Sequence, residues 1–488
     1  MSGVSAATLG PLLFGLALLL TLWARWPVYA ALLACSLWGG LLGLALGWID
    51  PQLLWALPLR LSGLLEHDLL QALLLYALVG ATLREMGLAE TWIAALRRRL
   101  GEGPLASALA VLGFAALSAP MNGSVAASLG MLRHGAEAAL AAWPRPRATA
   151  LLAAASTLGL LLPPSLVLLL CGEAMMRAHT EALGQLGSAA GLARVMNNQD
   201  LLAAAWRPAL LVLLGFALVA GLSRPHTSPA AARPRTGRGG ALPWVFSAGV
   251  LLMLLGVARG WWLAVEGAAL AAALLLGHGL CSGRLRGRMA ALLSQALQTA
   301  GMLFGLLLAA SSFTWLLRAL GSDVWLQREL LAHSLGGPGA TLALTLLVLL
   351  LCSLVLDAFE LIFLILPLLM PVLLQQQTHA PWVAVLALLI LQLGYLLPPL
   401  GYALLAARSG PGAEDLSLAR LAPAVLPYTA VLILVLGAVL CWPQALCGPP
   451  PRLETPALDE AQALDELLRQ APPPSVDEVP ADAGSAAR

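Results

Sequence analysis

Leu158-Gly159-Leu160-Leu161-Leu162-Pro163-Pro164 returns later in the chain as Leu393-Gly394-Tyr395-Leu396-Leu397-Pro398-Pro399. Each copy interrupts an apolar run long enough to cross a bilayer, which takes about 20 residues. Paired prolines donate no backbone hydrogen bond and crowd the preceding turn, so the carbonyls just before them lose their helical partners. In hydrocarbon such groups persist only where protein, water or a bound ion satisfies them. Pro163, Pro164, Pro398 and Pro399 therefore mark two helix breaks, and each break is a candidate ion or substrate site.

The duplication extends upstream in register. Arg84 and Gly87 match Arg318 and Gly321, Leu100-Gly101 matches Leu335-Gly336, and Gly103-Pro104 matches Gly337-Pro338, all 234 or 235 residues apart, like Gly159 and Gly394. Two halves with interrupted apolar segments at corresponding places point to a secondary transporter with its site between the repeats.

Composition agrees. Of 488 residues 60% are hydrophobic and only 11% charged, against about 25% charged in soluble domains. The chain is an all-α polytopic protein of the lipid bilayer. A net charge of +2 gives no reason to expect a nucleic-acid partner. Soluble-enzyme signatures such as a Walker loop, HExxH or a nucleophile elbow are absent, so no enzyme activity is expected and no cofactor beyond a coupling ion. The six cysteines have no metal-type spacing, although Cys441 and Cys447 are placed to pair in an oxidising compartment. No charge precedes the first apolar run, so no cleavable signal is expected.

Taken in order, residues 1–63 read as N-terminal scaffold helices and 64–222 as the first repeat, with a hairpin at 104–132 and a broken helix at 149–171. A cytoplasmic linker follows at 223–240, then scaffold helices at 241–289, including a span at 242–258. The second repeat occupies 290–447, with a hairpin at 338–374 and a broken helix at 381–405. Residues 448–488 form an acidic, Pro-rich tail, with one short helix near 458–468. Arginines 97–99 precede the first hairpin and Arg133, Arg145 and Arg147 follow it, which marks both flanks as cytoplasmic and the segment as re-entrant. Its turn is read as Ser118 to Ser124. An odd number of crossings separates the copies, so the second hairpin enters from the opposite face. Ala89–Leu100 and Val324–His333 are amphipathic pieces, read either as interfacial arms or as solvated connectors.

Intramembrane polar residues gather at the interruptions. In the first half they are Ser118, Asn122, Gly123 and Ser124 at the hairpin, with Ser156, Thr157 and Gly159 before the prolines. Neutral hydroxyl, amide and carbonyl oxygens suit sodium, a hard cation; the alternative is that the hydroxyls bond back to helix carbonyls. In the second half Asp357 and Glu360 share a helix face. A central carboxylate costs about 2.5–3.5 kcal/mol on insertion scales and needs a partner. Roles open to the pair are cation ligand, proton site or cap for the hairpin, with an arginine pairing also possible for Glu360. Gln392 and Gly394 stand at the second break. Glu266 is isolated and has no assigned role.

These segments resemble the large membrane subunit of tripartite ATP-independent periplasmic (TRAP) transporters, of the DctM type within the ion transporter superfamily. The likeness rests on Gly80 and Gly87-Leu-Ala-Glu90, on residues 153–173, 356–373 and 396–405. It implies an inverted-topology repeat with two re-entrant hairpins and two broken helices, working by elevator movement in the bacterial inner membrane with sodium as coupling ion. Implied partners are a small four-helix membrane subunit and a periplasmic binding protein that delivers an organic acid of the dicarboxylate or keto-acid class. One sodium would fall on Ser118, Asn122, Gly123, Ser124, Ser156, Thr157 and Gly159, and a second on Asp357, Gln392 and Gly394. The substrate would meet Asn122, Ser124, Asp357 and Glu360 between the hairpin tips. Around the second break this chain has Ile390, Leu393, Gly394 and Leu397 where such proteins usually carry Asn, Thr, Ser and Thr, and Leu160 replaces a common Gln. The alternatives are a binding-protein-independent carboxylate carrier of the same superfamily and a non-transporting scaffold.

Overall fold

The computed structural model describes residues 5–55, 68–186, 194–223, 249–333, 337–409 and 416–450, together with Pro58 and Ser62; positions 25, 102, 123, 251, 253, 254, 258 and 378 are excepted. The linker from 224, most of the span read at 242–258, and the tail with its short helix lie outside the described residues. All regular structure among the described residues is helical.

The first half comprises α1 (Ala6–Leu22), α2 (Val28–Ala45), the single turn α3 (Pro51–Leu54), α4 (Asp68–Glu85), α5 (Leu88–Leu100), α6 (Pro104–Asn122), α7 (Val125–Leu140), α8 (Arg145–Ser156), α9 (Leu166–Leu186) and α10 (Asn198–Leu222). The second comprises α11 (Ala264–Cys281), α12 (Met289–Ala319), α13 (Ser322–His333), α14 (Pro338–Ser353), α15 (Ala358–Gln376), α16 (Ala380–Leu396), α17 (Tyr402–Arg408), α18 (Leu418–Cys441) and the short α19 (Pro443–Cys447). Among the described residues six helices are long and apolar enough to span a bilayer, or seven if the bent pair α4–α5 is one span. Large apolar side chains remain exposed on their outer faces, among them Leu37, Trp38, Leu218, Ile433 and Leu434. Such surface is stable in lipid and unfavourable in water.

The inverted repeat is visible in reciprocal packing. In the scaffold, α2 lies along α12 while its counterpart α11 lies along α4, and α4 and α12 pack on each other. The first half of each broken helix rests on the last helix of the other repeat, α8 on α18 and α16 on α10. The second limb of each hairpin rests on the second half of the other broken helix, α7 on α17 and α15 on α9. Neither repeat buries its own interrupted helix unaided.

Three boundaries differ from the sequence reading. The first hairpin runs to Leu140, not 132, because Arg133 does not end its helix: the guanidinium reaches across and donates to the carbonyls of Ala406 and Ala407. A cation at the C-terminus of α17 meets the partial negative charge of that helix end. The turn is also tighter than Ser118–Ser124, since α6 continues to Asn122. Unwinding it would strand several backbone groups, whereas Pro120 removes one donor. The first broken helix extends from Arg145 to Leu186, beyond the 149–171 read from the apolar run, because Glu173 and Arg177 neutralise each other along its second half at 3.1 Å. Cys441 is exposed and Cys447 buried, and both are free thiols.

The amphipathic segment α5 is docked rather than solvated. It turns 70° away from α4 at Gly87, whose φ of +60° suits glycine. Its apolar face lies under both limbs of the first hairpin: Trp92 and Phe114 have ring centroids 5.5 Å apart, and a Cβ at Gly135 would sit 2.5 Å from that of Ala89. Its counterpart α13 departs at Gly321 (φ +67°) and packs on α1, where a Cβ at Gly10 would come within 2.2 Å of the Ser322 hydroxyl. Glu266 is not isolated, because its Oε2 accepts from Leu263 N at 2.9 Å at the start of α11.

Arg133→Ala should free the end of α17 and cost about 1.5–3 kcal/mol, the range for a hydrogen bond to a charged group. Hydrogen exchange should rise at residues 402–408 and stay unchanged in α4 and α12. Equal exchange at 402–408 would show that Arg133 fastens nothing.

Candidate functional site

In the first interrupted helix, α8 gives way at Thr157 to one turn of 3-10 helix, Thr157–Leu160, and the chain then bends through residues 161–164, with a cis Pro163–Pro164 bond. Leu158 carbonyl accepts from both Leu161 and Leu162, at 3.3 and 3.1 Å. The prolines supply no donor to the carbonyls of Gly159 and Leu160. Helix resumes at Leu166 because Ser165 caps it, its hydroxyl accepting from Leu168 N at 3.0 Å. Ser156 and Thr157 are fully buried, and each hydroxyl donates at 2.8 Å to a carbonyl three residues earlier, Ala153 and Ala154. Limb α6 of the first hairpin lies along this break.

The second break keeps the cis proline bond, Pro398–Pro399, but not the polar lining. Buried Leu391 and Gln392 stand at the positions of Ser156 and Thr157, so Gln392 alone keeps a polar group there, and Leu400 stands at the position of Ser165. Here the chain closes by proximity. A Cβ at Gly401 would lie 2.6 Å from the Tyr395 carbonyl, and one at Gly394 would lie 1.8 Å from the Ser353 hydroxyl and 2.8 Å from its Cβ. The tip of the second hairpin is thereby pressed against the helix just before its break.

Asp357 and Glu360 act first on their own hairpin. Asp357 is the N-cap of α15, and Glu360 Oε2 accepts from Asp357 N at 2.9 Å, which forms a capping box. The Asp357 carboxylate also accepts from the Tyr395 hydroxyl at 2.9 Å, tying the tip to α16. No arginine among the described residues pairs with either carboxylate. A five-residue π-helical stretch, Leu361–Ile365, follows the cap directly.

One contact joins the two interruptions. Gln392 Nε2 donates to Thr157 Oγ1 at 3.2 Å, across 235 positions of sequence. The Thr157 proton is already committed to Ala154, so the hydroxyl can only accept, and the orientation of the amide follows. Gln392 Oε1 is then left fully buried with no hydrogen-bond partner. An acceptor stranded in this way costs about 1–3 kcal/mol unless something fills the place.

The structure thus brings Thr157 to Gln392, Asp357 to Glu360 and Gly394 to the second hairpin tip. Ser118 lies inside α6 and donates to Phe114 carbonyl at 2.8 Å. Ser124 caps α7, accepting from Ala127 N at 3.5 Å. Gly123 and the side chain of Asn122 lie outside the described residues. Three residues at the breaks escaped the sequence reading. Ser165 and the Asp357-x-x-Glu360 box carry recognisable capping signatures, whereas nothing local marks Tyr395 or Ser353 as partners.

Gly394→Ala should overpack the hairpin tip and destabilise by about 1–3 kcal/mol. Adding Ser353→Gly, which removes the opposing atoms, should restore most of the thermal midpoint. Additive losses in the double variant would rule out the contact.

Comparison with known proteins places these features. Among solved structures the crystal structure of the Alcanivorax borkumensis YdaH transporter, described as having an unusual topology, is similar with a TM-score of 0.58, covering 90% of this chain and 100% of that one at 18% identity. Identity that low supports a shared fold and no more. No curated protein sequence matches. The model of one family, the DctM component of tripartite ATP-independent periplasmic transporters, matches residues 14–445, spanning both hairpins and both breaks. This chain, a multi-pass membrane protein, belongs to that transporter family.

Proposed function

We propose that the chain is the large permease subunit of a sodium-coupled importer in a bacterial inner membrane. Its cargo is an organic acid of the dicarboxylate or keto-acid class, received from a periplasmic binding protein, and it works beside a small four-helix membrane subunit. A unit containing both hairpins and both broken helices moves against the scaffold in elevator fashion. The observation that carries this reading is the unsatisfied Gln392 oxygen beside Thr157, where the two repeats meet and broken backbone is close by. A hard cation takes neutral oxygens of this kind, and interrupted helices in transporters put them near the midplane.

On this reading the first ion is held among Ser118, Asn122, Gly123, Ser124, Ser156, Thr157 and Gly159, helped by Gln392. Asp357 and Gly394 belong to a second position, and the substrate carboxylate meets Asn122, Ser124, Asp357 and Glu360. The aliphatic lining at Ile390, Leu393 and Leu397 supports a weaker second position than first. The commitment of Asp357 and Glu360 to a capping box supports the same inequality.

Reconstituted with its small subunit and a loaded binding protein, the chain should accumulate substrate in liposomes only under an inward sodium gradient. Uptake indifferent to sodium would remove the coupling, and uptake without any soluble partner would identify a binding-protein-independent carrier. Independently of transport, sodium chloride should raise the thermal midpoint of the purified protein relative to choline chloride. At about ten times the dissociation constant the gain is roughly 1.4 kcal/mol. Gln392→Leu should abolish that gain; a sodium-dependent rise that survives the substitution removes Gln392 from the site.

A further inference from the structure

The two repeat-related arginines, Arg84 and Arg318, occupy equivalent places. Each lies in the last turn of a scaffold helix, α4 or α12, three residues before a left-handed glycine, Gly87 or Gly321, from which an arm departs. The C-terminal end of a helix favours a cation, which accounts for an arginine at both positions. It does not account for the difference between them. Arg318 Nη2 meets Glu181 Oε2 on α9 at 2.6 Å, so scaffold and broken helix are joined by an ion pair. Arg84 forms no ion pair among the described residues, and its Nε is buried without a partner.

The surroundings differ in the same sense. Arg318 lines a cavity of about 220 Å³ between α9, α12 and α15, shared with Glu173, Arg177, Glu181 and Thr314. Arg84 lines one of about 490 Å³ between α4, α5, α7 and the start of α12, shared with Glu85, Glu90, His134 and Gln295. The scaffold is therefore fastened to the second half of the first broken helix by an ion pair at one end. At the other end the larger cavity separates Arg84 from the second limb of the first hairpin, and no ion pair among the described residues bridges it. Arginine distribution makes the Arg84 end cytoplasmic.

We propose that Arg318 and Glu181 form a latch that favours the inward-open position. This rests on the elevator reading above and adds what sets the balance between its two ends. The hairpin limb α7 lines the Arg84 cavity with Ala127, Gly130, Met131, His134 and Gly135, none of them acidic, and Glu137 lines a separate cavity with Arg133 and Arg145, so nothing on that limb opposes the latch. Glu181 stands on a segment of the moving unit and Arg318 on the static one. Movement of the unit toward the outward position carries Glu181 past Arg318 and breaks the pair.

The test uses the full chain in membrane vesicles, without substrate or sodium gradient, so that its outcome is independent of cargo. Exposed Cys281 and Cys441 are replaced by serine, and a single reporter thiol is placed in either cavity, as Ser311→Cys or Gln295→Cys. The ratio of labelling rates at the two reporters reads the balance. Glu181→Gln and Arg318→Gln should each raise labelling at 311 relative to 295, by roughly two- to five-fold, the range a partly exposed ion pair supports. The exchanged pair Glu181→Arg with Arg318→Glu should return the ratio to its starting value. General loosening would raise labelling at both reporters together and overturn the proposal. So would a ratio unmoved by Glu181→Gln, or an exchanged pair no better than the single variants, while the sodium-dependent uptake experiment would stand untouched by either result.

Discussion

A backbone carbonyl inside a bilayer has no water to turn to, and two proline pairs leave several such carbonyls without their helical donors. Most of the architecture follows from covering those places. Each interruption packs against a hairpin limb and the other broken helix; residues 161–165 of the first are wholly buried, whereas Pro399 and Leu400 of the second remain exposed. The hairpins need the same protection. Their tips are helix ends with unpaired groups, and Ser124, Asp357 and Glu360 satisfy part of that need from within the turn itself.

One motif used twice yields two different environments. The first copy is followed by Ser165, which restarts a long helix, and it is lined by Ser156 and Thr157. The second copy is followed by Leu400 and by a helix of seven residues, Tyr402–Arg408, whose end is held by Arg133 from the other repeat. Where hydroxyls are missing, glycines replace them by letting backbone approach closely, at Gly394 against Ser353 and at Gly401 against the Tyr395 carbonyl. The fold is symmetric in its path and asymmetric in its chemistry.

Much of this was legible in the linear chain because the signals are local. Apolar length gives the spans, proline pairs give the breaks, and the in-register recurrence of Arg84 and Gly87 as Arg318 and Gly321 gives the repeat. The second hairpin's limits are read from the sequence to within two residues, whereas the first runs on past 132 to Leu140 because Arg133 does not end its helix. A charge ends a span only if nothing neutralises it, and the neutralising carbonyls of Ala406 and Ala407 are more than 270 positions away in the chain. Asp357 and Glu360 were seen as carboxylates on one face. That they form a capping box, with Tyr395 as the donor from outside, depends on where α16 passes.

The sequence by itself determined that the chain crosses a membrane, that its path is repeated with opposite sense, and where its helices must break. Each of these follows from hydrophobic length, proline geometry and the charge rule, which act over a few residues at a time. Only the tertiary structure decided which oxygens remain unpaired. Thr157 meets Gln392 because two interruptions from different repeats are packed against one another, and the direction of a single hydroxyl proton then leaves one amide oxygen without a donor. Hydrogen-bond satisfaction is a property of the completed contact set, so it cannot be read from either segment alone.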